Sequence, residues 1–488
     1  MGAAISDWRL ARAVSTHGSL GVVSGTALDQ VLARRLQLGD PSGCMRRALD
    51  AFPLQDIARR VIDQFFIEGG KAADEGFLKS RMSSDVANQE VDELSIIANF
   101  VEVFLAKESH SGIVGINFLH KIQTPLLAAL YGALLADVDV VIVGAGIPLD
   151  IPEILDGLCA GRPVDLQLHM RDNSSGEAHK IHFDPNNTFP DGPPVLRRPR
   201  FFPIVSSATL ASLMVRKSKG GVDGLVIEGP TAGGHNAPPR GRVSLDSSGQ
   251  PVYGARDTVD LEAIKDLEVP FWLAGSYGSP ERLQEARDAG AAGVQVGSLF
   301  AFCEESGLRE DLRRAVTDAR GDVKVFTDPL ASPTGFPFKI LEIPGTLAST
   351  ERAAKRDRRC DLGFLREAYE KPNGDLGWRC PAEHPDAYVK KGGRLEDTVG
   401  RKCLCNSLIA NVGMPQVRNR TEVAQPLVTC GDDLSVIAAV LDRKPGLKKT
   451  SYSAADALDY LLDNPGATPV DDPVATYDTV SRREVAKQ

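Results

Sequence analysis

Apolar residues recur through the first three hundred positions in short runs that end in Gly, Ser, Asn, His or a charged residue. The first is Leu20-Gly-Val-Val-Ser-Gly25, and Gly112-Ile-Val-Gly-Ile-Asn117, residues 138–146 and residues 164–169 follow. Residues 201–206, 224–228, 270–275 and 293–297 complete the set. Amphipathic stretches, such as 125–136, 209–217 and 280–289, lie between many of them. Short buried strands alternating with helices predict βαβ units and a parallel sheet.

An open doubly wound sheet and a closed barrel both produce that alternation. The number of units, and the polar or glycine residue at nearly every strand end, favour a TIM (β/α)₈ barrel, whose active sites lie at those ends. The spacing is uneven. A helical insertion is expected over 36–107, and Pro/Gly-rich loops over 184–200 and 237–257. Loops of that length are usually functional or mobile. After Gly335 the alternation stops, charge rises over 351–359, and cysteines become denser from Cys360 onward. The expected organisation is a barrel over 1–335 and an extension over 336–488 that packs on it, with a poorly ordered tail over 465–488.

Composition narrows the function. The 488 residues are 42% hydrophobic and 25% charged, as in an average globular protein, and are enough for two domains. A net charge of −9 lacks the basic footprint of a nucleic-acid binder. The longest apolar run, 138–149, is too short to span a bilayer, and no secretory leader pattern opens the chain. A cytoplasmic location is expected, with the eight cysteines mostly reduced.

Two consecutive strand ends carry the strongest chemical signal. Leu273-Ala-Gly-Ser-Tyr-Gly-Ser-Pro280 and Val294-Gln-Val-Gly-Ser-Leu-Phe300 each end a strand and open a helix. Glycine lets backbone N–H groups approach an anion, and the helix terminus adds a favourable dipole. In barrels such a phosphate site follows strands seven and eight. Val143-Gly-Ala-Gly-Ile-Pro148 mimics a dinucleotide fingerprint, but Leu149 replaces the third glycine and Pro148 enters the turn. It is read as a barrel loop near the cofactor ring. His235 lies in the glycine-rich loop Ile227-Glu-Gly-Pro-Thr-Ala-Gly-Gly-His-Asn236, where an imidazole can be held rigidly and suits proton transfer near neutrality.

Three of these stretches, Ala232-Gly-Gly-His235, Leu273-Ala-Gly-Ser276 and Gln295-Val-Gly-Ser298, resemble the signatures of the nitronate monooxygenase family. That family was formerly called 2-nitropropane dioxygenase and includes flavin-containing enoyl reductases. The resemblance covers about residues 1–335. It implies a (β/α)₈ barrel with non-covalent FMN, whose phosphate would be held by Gly275, Ser276, Gly297 and Ser298, with Ala274 and Gln295 adjoining. It implies that His235 is the base or proton donor beside the flavin, flanked by Gly233 and Gly234. Asn117 is expected to contact the flavin ring, and Gly25 to neighbour the cofactor. Gly275-Ser-Tyr277 replaces the usual Gly-Gly-Ile, and Thr231 replaces the usual acidic residue. Both differences resemble the subgroup associated with polyketide and polyunsaturated fatty-acid synthesis.

The resemblance also implies that Met1-Gly-Ala-Ala-Ile-Ser-Asp-Trp8 corresponds to a stretch that follows the first barrel strand, so the barrel is expected to lack that strand. Open edges are costly, so a start assigned too late is one expectation and a truncated barrel the other. Cys360, Cys380, Cys403 and Cys405 are candidate ligands for zinc or an iron–sulfur cluster, against a reading as unrelated buried thiols. Cys44, Cys159, Cys303 and Cys430 read as packing residues. Two activities follow from the resemblance: oxidation of alkyl nitronates with O₂, or NAD(P)H-dependent enoyl reduction of a small or acyl-carrier-bound substrate. A non-catalytic barrel and a flavin-free phosphate-binding isomerase remain open.

Overall fold

Seven parallel strands follow one another in chain order around a curled sheet in the computed structural model, which describes residues 2–173, 175–443 and 450–463. They are β1 (Gly21–Ser24), β2 (Val114–Leu119), β3 (Val140–Gly144) and β4 (Arg200–Val205). β5 (Leu225–Glu228), β6 (Phe271–Ala274) and β7 (Gly293–Gln295) complete the sheet. Each pairs with its sequence neighbours, with Ile116 beside Val141 and Ile227 beside Leu273, for example. The architecture is the expected (β/α)₈ barrel short of its first strand, and β1 and β7 end the sheet. The expected tail over 465–488 lies outside the described residues.

The sheet is built where sequence period and burial agree. All five residues of β3 are buried, the pattern of a strand covered on both faces. Inside the barrel, Val140, Ile142, Phe202, Val226 and Ala274 cluster, and Trp272 stacks on Phe202 at 4.8 Å between centroids. Outside it, the helix Leu126–Leu135 packs against the long helix Gln89–Lys107 of the insertion. Gly132 permits that contact, since a Cβ there would stand 2.0 Å from the Ile96 carbonyl oxygen.

One expected strand is not in the barrel. Val164–Gln167 pairs antiparallel with Lys180–Phe183, and β3 pairs directly with β4. The reason is visible in its side chains. Val164 and Leu166 are buried while Asp165 and Gln167 are exposed, and a barrel strand has no solvent face for such an alternation.

The extension does not stand apart. Phe338–Leu341 forms a hairpin with Val325–Asp328, so a ladder crosses residue 335. Glu367–Glu370 pairs with Leu376–Arg379 and also with Met170–Asp172. The hairpin and the loops after it fold back over the C-terminal ends of β5 and β7 through hydrogen bonds to Thr231, Gly234 and Ser298.

Candidate functional site

A cavity of about 1070 Å³ opens at the C-terminal ends of the strands and runs down the barrel to Leu20, Ile113 and Ala292 at their lower ends. That volume lies at the upper end of ordinary ligand cavities, roughly 300–1,000 Å³.

The loop after β6 turns through Gly275 at φ +100° and Ser276 at φ +57°. Glycine is required at the first position, because a Cβ would stand 2.8 Å from Thr231 Oγ1 and 3.0 Å from the Ala232 nitrogen. Ser276 holds a left-handed conformation that a residue with a Cβ adopts at a cost, a kind of strain that clusters at ligand sites. The chain then enters the helix Pro280–Asp288, with Ser279 accepting from the Arg282 N–H. After β7, nothing lies within 4 Å of a Cβ built at Gly297, so the backbone there is open to a ligand. Ser298 Oγ accepts from the Gly431 N–H at 2.7 Å.

The loop after β5 is held from outside the barrel. Gly233 packs directly on the Cys430 carbonyl carbon, which a Cβ would approach to 2.6 Å. The Gly234 N–H donates to Thr429 Oγ1 at 2.9 Å. The Gly234 carbonyl accepts from the Lys339 N–H at 2.9 Å, and the Asn236 N–H donates to the Pro337 carbonyl at 3.0 Å. His235 is thereby fixed edge-on to Phe338, with ring centroids 4.9 Å apart. Its Nε2 lies 2.6 Å from Ser332 Oγ, which is itself 2.8 Å from Thr334 Oγ1. Burial, and then the charge of Lys121, push the His235 pKa down to about 3, so the imidazole is neutral near pH 7.

Among the residues expected at the site, His235, Gly233, Gly234 and Asn117 line this one cavity. So do Ala274, Gly275, Ser276, Gln295, Gly297 and Ser298. Gly25 does not. It faces a small neighbouring pocket, and its glycine answers to packing, since a Cβ would stand 2.4 Å from the Phe118 ring. Lys121, Glu228 and Phe336 are among the cavity residues that the sequence reading did not single out. Lys121 follows β2, Glu228 ends β5, and Phe336 comes from the extension. The position of the first two at strand ends was the available signal. Burial raises the Glu228 pKa to about 7 and lowers that of Lys121 to about 7.

The four cysteines of the extension are drawn toward one another. Asn406 Nδ2 donates to the Arg359 carbonyl, to Asp361 Oδ2 and to Cys403 Sγ, linking both flanks of Cys360 to Cys403. Burial, with the neighbouring thiols adding, raises Cys360 to about 11 and pushes Cys380 and Cys405 up. All four thiols are free. Among the described residues no group of three His, Cys, Asp or Glu is placed to hold a metal ion, so the zinc or iron–sulfur expectation is not shown. Also among the described residues, no helix is long and apolar enough to cross a membrane.

Residues 199–334 match the nitronate monooxygenase family model, the segment that holds β4 to β7, both glycine loops and His235. Relatives named probable nitronate monooxygenase include one from Bacillus subtilis (strain 168), 30% identical over 125 residues, which are 25% of this chain and 34% of that protein. Another, from Staphylococcus haemolyticus (strain JCSC1435), is 25% identical over 126 residues, 26% of this chain and 34% of that protein. The matched segment thus spans about a third of the length of these relatives. Among solved structures, FabK from Thermotoga maritima aligns with a TM-score of 0.44 at 13% identity, covering 98% of this chain and 92% of that one. The enoyl reductase domain of MlnA, from the macrolactin biosynthesis cluster of Bacillus amyloliquefaciens, aligns with a TM-score of 0.42 at 10% identity, covering 96% and 95%.

Proposed function

We propose that the chain is an FMN-dependent oxidoreductase of the nitronate monooxygenase type, oxidising alkyl nitronates with O₂. The observation that carries this reading is the opening of two glycine loops and one neutral histidine onto a single cavity. Gly275 and Gly297 would offer backbone N–H groups to the FMN phosphate, with Ser276 and Ser298 beside them. Asn117 and Gln295 line the same cavity and would adjoin the ring of FMN. Bound FMN supplies the electron-transfer chemistry.

The chain's own residues supply position and a proton site. Ser332 engages His235 Nε2, which leaves Nδ1 for the substrate, as donor or acceptor according to the tautomer. Burial keeps His235 in its neutral form at neutral pH, with one ring nitrogen able to donate and the other to accept. Phe338 and the Thr429 hydroxyl, which accepts from the Gly234 N–H, hold the histidine loop from outside the barrel.

The length of the cavity favours a second reading. It extends past Ile142, Phe202 and Trp272 toward the lower strand ends, enough apolar depth for an acyl chain. In that reading NAD(P)H is the reductant and an acyl or acyl-carrier-bound enoyl group the substrate, and the protein acts in the cytoplasm. The absorbance spectrum of purified protein tests the shared premise, with flavin bands expected at roughly 370 and 450 nm. Anaerobic bleaching by a nitronate supports the first reading, and rapid bleaching by NAD(P)H supports the second. A colourless protein that FMN cannot reconstitute overturns both and leaves a ligand-binding barrel.

A further inference from the structure

Lys121 stands two residues beyond the end of β2, on the wall of the cavity. Its Nζ is buried and has no hydrogen-bond partner among the described residues. It lies over the Phe336 ring, whose electron-rich face offsets part of its charge. No carboxylate among the described residues pairs with it, whereas the other buried cations here meet a carboxylate or a carbonyl oxygen. Arg35 meets Asp7 and Glu102, Lys339 meets Asp432, and Arg418 meets Asp361. An unpaired ammonium taken out of water is costly, and such a group either sheds its proton or is completed by a charge that enters beside it. The side of Lys121 left without a partner is the cavity itself, and its charge is close enough to act on His235.

We propose that Lys121 is the anion-binding residue of the cavity, taking a planar oxyanion of the substrate and so holding the adjoining carbon beside His235. The chemistry shared by the two readings is an oxygen-borne negative charge conjugated with the reacting carbon, present in a nitronate from the start and in an enoyl thioester once hydride has added to its β-carbon. A nitronate carries it on two oxygens, and an enolised thioester carries it on one. The identity of the substrate rests on the oxidoreductase reading above. The anion subsite rests on Lys121, Phe336 and the cavity alone.

The test uses the full chain with whatever flavin it carries, titrated by calorimetry with nitrate, a planar isostere of the nitronate group. Wild type is expected to bind nitrate, and Lys121→Met to bind it about tenfold more weakly or worse. Lys121→Arg is expected to recover most of the affinity. Flavin content should be the same in all three. The Met variant should also unfold at higher urea concentration than wild type, because it removes an unpaired buried charge. Nitrate affinity that ignores Lys121→Met, or wild type that does not bind nitrate, overturns the proposal. A second arm compares ethyl nitronate with an acetoacetyl thioester. The ligand whose affinity falls in the Met variant is the source of the oxyanion, and loss with neither overturns the subsite. Colourless protein that still loses nitrate binding in Lys121→Met overturns the flavin reading and keeps the subsite. Flavin-loaded protein whose nitrate affinity ignores Lys121 does the reverse.

Discussion

Lys339 and Asp432 offer an asymmetric test of how the extension holds the His235 loop. Lys339 is 2% exposed, and its Nζ donates to Asp432 Oδ1 at 2.6 Å and to Thr327 Oγ1 at 2.9 Å. Asp432 is 44% exposed, and its backbone N–H donates to the Thr231 carbonyl. Removing one partner of a fully buried pair costs about 3–5 kcal/mol, because the other charge is left without compensation. In Asp432→Ala the stranded ammonium keeps Thr327, and water can enter on the open side that Asp432 occupied. That discount brings the expected loss to about 2–3 kcal/mol. Lys339→Met leaves instead a half-exposed carboxylate, which water solvates, and places an apolar chain of similar length in a buried site. Two hydrogen bonds of about 1 kcal/mol each are lost and partly offset, for a net of about 1 kcal/mol. Urea unfolding of both variants, with equal m-values required, reads the difference. Lys339→Met proving as damaging as Asp432→Ala, or Asp432→Ala lying within about 0.5 kcal/mol of wild type, refutes the reasoning.

Three further outcomes are expected. Gly275→Ala forces a Cβ onto a backbone at φ +100° and against Thr231 Oγ1, so FMN affinity should fall about tenfold or more in fluorescence titration while urea stability changes less. Ser332→Ala removes the hydroxyl that orients His235, so flavin reduction in stopped-flow should slow about tenfold while flavin content stays unchanged. Glu228 has its pKa raised by burial to about 7, against 4.5 when unfolded. Its contribution to stability is therefore fully present below about pH 4.5 and is lost as pH rises through about 7. Glu228→Gln should flatten the urea midpoint between those pH values, and an unchanged profile would show that the carboxyl is not desolvated.

Seven barrel strands, both glycine loops and His235 could be read from the chain itself. Runs such as Val140–Gly144 carry their burial in local sequence, and a glycine held at positive φ, as Gly275 is, marks its turn wherever the rest of the chain lies. The alternation of Val164–Gln167 was also written locally, and its two-faced pattern pointed away from the barrel. Asn117 and Gln295, expected from the family resemblance, line the cavity from strand ends, whereas Gly25 occupies the same kind of place yet turns to Phe118. Only the tertiary structure separates such cases, because a side chain's partner is set by what the fold brings beside it. The Thr429–Asp432 segment lies about two hundred residues from the histidine loop, and no local period encodes that contact. The convergence of Cys360, Cys380, Cys403 and Cys405 is likewise a matter of packing. Lys121 is the sharpest instance. In sequence it is one lysine after a strand, and in the fold it is a buried amine for which no described residue provides a counter-ion.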